Sequence, residues 1–149
     1  MNTKRQKKIL NILTDIAWGS DCVAGSRHAA AIVLKNEIIA IGTNRDKTHP
    51  LQDMYKKNPH AKLLHAEIDA IRQALRVVDE IDLIRCDLYV VRVKYIGNGR
   101  RRQMIVAESK PCCGCSRAIE NFNFRNVYHT TDEDENFVKL ISEPQSHTL

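Results

Sequence analysis

The chain has 149 residues, enough for one domain with its own core, and its 43% hydrophobic and 28% charged content excludes a disordered or fibrous protein. No apolar run approaches a membrane span, and the opening MNTKRQKKIL lacks the apolar stretch of a secretory signal, so a cytoplasmic protein without membrane contact is expected. The net charge of +5 favours an anionic partner, although much of it sits in KRQKK and Arg100-Arg101-Arg102, where a solvated face accounts for it.

In chain order, Thr3 to Trp18 places Ile9, Leu10, Ile12, Leu13, Ile16 and Ala17 at helical spacing and predicts an amphipathic opening helix. Ala29 to Leu34 and Ile38 to Gly42 flank Lys35-Asn36-Glu37 and predict a hairpin. Thr43 to His60 is polar, contains Pro50 and Pro59, and reads as a long loop of the kind that carries function. The stripe Leu64, Ile68, Ile71, Leu75 and Val78 predicts a second helix over about Ala61 to Val78. Asp87 to Lys94 is a strand, Gly97-Asn98-Gly99 a turn, and Gln103 to Ala107 a returning strand or extended segment. Pro111, in the first helical position, opens a third helix to about Phe122. Asn126 to Thr131 and Phe137 to Ile141 are further strand-like segments, joined by too few residues for a helical crossover, so the last strand should run antiparallel to its neighbour. The order is that of an α/β sandwich in a single domain over 1–149, with a sheet of about five strands.

Two separated segments carry the chemistry: His65-Ala66-Glu67 and Pro111-Cys112-Cys113-Gly114-Cys115. Five cysteines are an odd number, and three lie within 112–115, a poor disulfide framework and a good metal cluster. Thiolates at 112 and 115 at a helix start can face one ion, and the helix N-terminus favours their ionised form. His65 adds a third ligand of the type zinc prefers, and three protein ligands leave the fourth position for water, the pattern of a catalytic site. Glu67 sits two residues on, near enough to move a proton without ligating the metal. Cys113 points about 100° away from its neighbour on a helix and is read as a non-ligand. Cys22 and Cys86 are read as small buried hydrophobes, and His28, His49, His60, His129 and His147 as non-ligands.

With these segments the chain resembles the cytidine and deoxycytidylate deaminase superfamily, from about Ala29 to Thr131. The resemblance implies a three-layer α/β/α fold with a mixed sheet, Zn²⁺ held by His65, Cys112 and Cys115, and Glu67 as proton shuttle. It implies hydrolytic attack at C4 of cytosine with loss of ammonia, Asn44 on the sugar, and the backbone at Ala66 beside the base. A homo-oligomer is the family's habit. Arg45 and Lys47, just after Asn44, are placed for a substrate phosphate, and Arg100 to Arg102 offer a second clamp. An antiparallel final strand is similar to nucleoside deaminases, whereas histidine as first ligand looks like the deoxycytidylate and transfer-RNA branches. The expected substrate is a free, deoxycytidylate-like nucleotide or nucleoside. A base within RNA or single-stranded DNA is the alternative, and a non-catalytic structural zinc module is the third.

Overall fold

The computed structural model describes residues 2–19, 26–45, 50–55, 64–101, 103–133 and 136–140, leaving aside the side chains of Ser26, Gln52, Asp53, Tyr55 and Cys113. Helix α1 (Lys4–Trp18) starts at a capping box in which Thr3 and Gln6 satisfy each other's backbone N–H groups. Its apolar side buries Ile9, Leu10, Leu13 and Ala17, while Lys4, Arg5, Lys7 and Lys8 stay exposed, so the KRQKK run is a solvated helix face. Strands β1 (Ser26–Leu34) and β2 (Glu37–Thr43) form the expected hairpin. Lys35 and Asn36 at its tip both have positive φ, 49° and 69°, the backbone that matches the twist of a two-residue turn.

The segment 43–60 is not a bare loop: helix α2 (Pro50–Tyr55) lies within it. Helix α3 spans Ala66–Ala74, shorter than the apolar stripe suggests. Leu64, which extends that stripe, instead exchanges backbone hydrogen bonds with Arg45 in an antiparallel bridge (2.9 and 3.0 Å), and His65 caps the helix in extended conformation. Residues 61–63 lie outside the described set. A 3₁₀ turn over Glu80–Arg85 leads into β3 (Asp87–Ile96), which β4 (Gln103–Ala107) follows. Helix α4 spans Cys113–Phe122 with Cys112 as its cap, so Pro111 stands one residue outside the cap and not in the first turn. Strands β5 (Asn126–His129) and β6 (Val138–Lys139) end the described chain.

The sheet has six strands, one more than expected, in the order β2-β1-β3-β5-β6 with β4 also on β3. The extra strand fits because β3 is long. Its first half, Asp87 to Val90, pairs parallel with β5, and its second half, Arg92 to Ile96, pairs antiparallel with β4 along the same edge. Strand β6 runs antiparallel to β5, as its short connection requires.

Alternation along the strands divides two cores. Ala29, Ala31, Val91 and Val93 face α1, and Tyr89 on the same face stacks on Tyr128 at 4.8 Å. Ala30, Ile32, Leu88 and Val90 face Ile68 and Ile71 of α3 and Ala118 and Ile119 of α4. The molecule is therefore a three-layer α/β/α sandwich with a mixed sheet. No described helix is long and apolar enough to cross a membrane.

Candidate active site

Helices α3 and α4 lie on one face of the sheet and present their N-terminal ends to each other. Two devices fix the approach. The Arg45–Leu64 bridge stitches the end of β2 to the residue before His65, and the Asn44 side chain accepts a hydrogen bond from the His28 N–H at 2.8 Å, tying the same strand end to β1. Buried Asp69 of α3 accepts from the Thr43 N–H at 3.0 Å and pairs with both Arg72 and Arg45.

The second device holds α4. Where β4 and β5 part along β3, Ser109 and Thr130 clasp each other inside the fork. The Ser109 hydroxyl donates to the Val90 carbonyl (2.7 Å) and accepts from the Thr130 N–H (2.8 Å), while the Thr130 hydroxyl donates to the Ala107 carbonyl (2.6 Å). Every buried polar group there has a partner, as burial demands. The clasp sets where the chain leaves the sheet for Cys112.

His65 Nδ1 lies 3.2 Å from Cys115 Sγ and 3.5 Å from Cys112 Sγ, and all three donor atoms fall within 4.8 Å of one another. Zn–N and Zn–S bonds of roughly 2.0 and 2.3 Å at a tetrahedral angle would separate N and S by about 3.5 Å, close to both observed N–S separations. Two soft thiols and one imidazole suit zinc. Among the described residues this is the one group of three such donors.

The three donors share protons among themselves, and a metal would have to displace those on Cys115 and His65. Cys112 is drawn down to about 3 by a hydrogen bond from the Cys115 thiol and another from His65, so it is a thiolate. Cys115 is pushed up by the same thiol contact and by burial, and His65 is pushed up chiefly by its bond to Cys112. Helix N-termini add to the stabilisation of the anion. Glu67, on the first turn of α3, is buried and within hydrogen-bond reach of Cys115; burial pushes its carboxyl upward, against a smaller pull from its own backbone N–H. A carboxyl so placed holds a proton more readily than an exposed one.

The cluster opens into a cavity of about 370 Å³, a volume that admits a small ligand. His65, Ala66, Glu67 and Cys112 line it together with Asn44, so the cavity collects five of the residues singled out in the sequence, and Cys115 stands buried behind them. Arg45 is not among the lining residues; its guanidinium is held on Asp69 at 3.3 Å. Lys47, His49, His60, Cys22, Arg102 and His147 lie outside the described residues, as does the side chain of Cys113. Arg100 and Arg101 are exposed at the β3–β4 tip, away from the cavity lining. Cys86 is buried, as expected, and His129 bonds to the Thr130 carbonyl region in the core.

Five lining residues receive no role in the site from the sequence: His28, Arg92, Glu108, Ser109 and Lys110. His28 and Arg92 are direct cross-strand partners of β1 and β3, on the α3 side of the sheet. Burial and the Arg92 charge lower the His28 ring to about 4, so it is neutral at pH 7. The one available signal was the alternation in DLYVVRVK, which puts Arg92 on the same face as Leu88 and Val90. A cation on an apolar strand face wants a reason.

A family model described as "Cytidine and deoxycytidylate deaminase zinc-binding region" matches residues 3–131. Among solved structures, the dCMP deaminase of the cyanophage S-TIM5 in apo form superposes with a TM-score of 0.58 at 19% identity, covering 91% of this chain and 89% of that one. The same phage enzyme in complex with dCMP and dUMP gives 0.55 at 17% identity over 85% and 81%. At such identities the likeness speaks for the fold alone. No curated protein matches the sequence.

Proposed function

The chain belongs to the cytidine and deoxycytidylate deaminase family with its zinc-binding region, and from that premise we propose that it hydrolyses the cytosine of a free, deoxycytidylate-like nucleotide or nucleoside to uracil and ammonia. The observation that carries the reading is Glu67: a carboxyl only 4% exposed, beside a His/Cys/Cys donor set, at the end of a cavity sized for a nucleotide. A structural zinc site has no use for a buried carboxyl that does not ligate.

His65, Cys112 and Cys115 hold the metal in this proposal. Zinc bound there would supply a Lewis acid that makes water acidic enough to attack near neutral pH. Glu67 would take the first proton of the attacking water and pass it to the ring nitrogen, then take the second from the oxygen now bonded to C4 and pass it to the exocyclic amine, so that the C4–N bond breaks, C4=O forms and ammonia leaves. Asn44 and the Ala66 backbone hold the sugar and base, and the packed surroundings of Ala66 exclude bulk water. The phage neighbour's complex with dCMP and dUMP supports the choice of nucleotide. The +5 charge supports a second reading, deamination within RNA or single-stranded DNA.

The test is ammonia release by the zinc-loaded protein from cytidine, deoxycytidine, their monophosphates and cytosine-containing oligonucleotides side by side. Turnover of free monomers is expected. Turnover of oligonucleotides alone would transfer the protein to the second reading, and silence throughout would sink both. Glu67→Gln should keep its zinc and lose about 10²- to 10⁴-fold in kcat. Full activity in that variant would remove the proton-shuttle assignment.

A further inference from the structure

Arg92 is half-buried in the cavity wall and poorly satisfied. Of the five N–H donors on its guanidinium, one reaches the Glu108 carbonyl at a long 3.4 Å, and the Nε group is buried without a partner. No carboxylate pairs with it among the described residues. Its register partner on β1 is His28, which burial first and then the arginine's charge press toward the neutral form. A half-buried cation without a partner charge is costly, and an anion in the cavity would offset that cost. Lys110 lines the same side, so the rim carries two cations against the single carboxylate of Glu108.

These groups share one cavity with the donor cluster and Glu67, which fixes what an anion there would belong to. We propose that Arg92 is the specificity-determining residue that reads the 5′-phosphate monoester of a nucleotide substrate, with Lys110 as its second cation. The inference rests on the deaminase reading and narrows it from nucleotide or nucleoside to nucleotide. Arg45, given this role from the sequence, has its charge balanced by Asp69 and is not among the cavity-lining residues, whereas Arg92 lines the cavity without a carboxylate partner among the described residues. A guanidinium is the right group for the task, because its fork meets two phosphate oxygens at once. A triphosphate or an internal phosphodiester presents different charge and bulk at that rim, so the commitment is to the terminal monoester.

The experiment measures binding, without need of turnover. Zinc-loaded wild type, Arg92→Gln and Arg92→Lys are titrated calorimetrically with dUMP, deoxyuridine and a short oligonucleotide containing one internal deoxyuridine. Wild type should prefer dUMP over deoxyuridine by about 10- to 100-fold, the worth of one or two charge-assisted hydrogen bonds. In Arg92→Gln that ratio should fall below about threefold, with Arg92→Lys between the two. A ratio unchanged by Arg92→Gln overturns the proposal, and so does an oligonucleotide that binds as tightly as dUMP and depends equally on Arg92. Should Arg92→Gln fail to fold, inorganic phosphate competing with dUMP for wild type, and losing that competition in Arg92→Lys, keeps the question decidable. Failure of the deaminase reading looks different: no ammonia from any monomer, with the dUMP-to-deoxyuridine ratio still set by Arg92.

Discussion

Gly42→Ala should dislodge the helix that carries the site. A Cβ built on Gly42 would stand 2.3 Å from the Ala70 nitrogen, 2.5 Å from the Ala66 carbonyl oxygen and 2.8 Å from the Asp69 carbonyl carbon. All three are backbone atoms of α3, so no side chain can rotate aside. Ordinary contact starts at 3.4 Å, and α3 must therefore withdraw from β2 by about 1 Å. Overpacking of this kind costs roughly 1–3 kcal/mol. The catalytic loss should be larger than the stability loss implies, because Glu67 and the His65 cap ride on the displaced turn and a shift of about 1 Å costs on the order of 10²-fold. The assay is thermal unfolding, zinc stoichiometry and kcat/KM for ammonia release on one preparation. Gly99→Ala is the control: its Cβ meets nothing within 4 Å, and only its positive φ of 59° is penalised, by about 1 kcal/mol with activity retained. A Gly42→Ala protein with wild-type melting and turnover would refute the close β2–α3 contact and the positioning argument built on it.

Other perturbations probe separate parts. Ser109→Ala opens the fork clasp, leaving the buried Thr130 N–H without its Ser109 acceptor; a loss of about 1–3 kcal/mol and a Tm lowered by several degrees are expected, with weaker zinc retention as the Cys112 segment loosens. Chelating the metal should lower Tm as mass action dictates, by about 2.7 kcal/mol relative to zinc at 100 times its Kd, and an unchanged Tm would deny the site a bound ion in the folded protein. The His28 ring, lowered to about 4, makes metal-free protein acid-sensitive in a defined window: the unfolded chain takes up this proton below about pH 6.5 and the folded chain only near 4. Stability contributed by the neutral ring is complete above about 6.5, falls by at most about 3 kcal/mol down to 4, and is flat beyond. Urea midpoints of His28→Gln should show a shallower acid leg over that interval, and parallel legs would contradict the assignment.

What the sequence disclosed was what is local in it. His65-Ala66-Glu67 and Pro111-Cys112-Cys113-Gly114-Cys115 each hold their spacing within one helical turn, so the donor set was legible before any tertiary contact was known. The layers were legible too, from period-two and period-3.6 patterns in β1, β3 and α1. What failed depended on distant partners. Leu64 continues a helical stripe, yet its backbone is taken by Arg45, so the helix begins later and His65 becomes a cap. Pro111 suits a first turn but stands outside one, because Cys112 occupies the cap. The sixth strand needed knowledge that β3 is long enough to give one edge to two partners. Arg92 was hidden for the same reason, since its meeting with His28 is a matter of register between strands more than sixty residues apart.

The shared edge of β3 also makes the molecule easy to extend. The site-bearing half is aligned by β1 and β5, and the five pairs from Arg92–Ala107 to Ile96–Gln103 lock the hairpin stem. Beyond the stem, Gly97 to Arg100 are exposed. Foreign sequence spliced between Gly97 and Gly99 would lengthen only a closed loop, and each doubling of such a loop costs about 0.6 kcal/mol. An affinity tag, a fluorophore site or a second binding module could be grafted there while the metal donors stay in register.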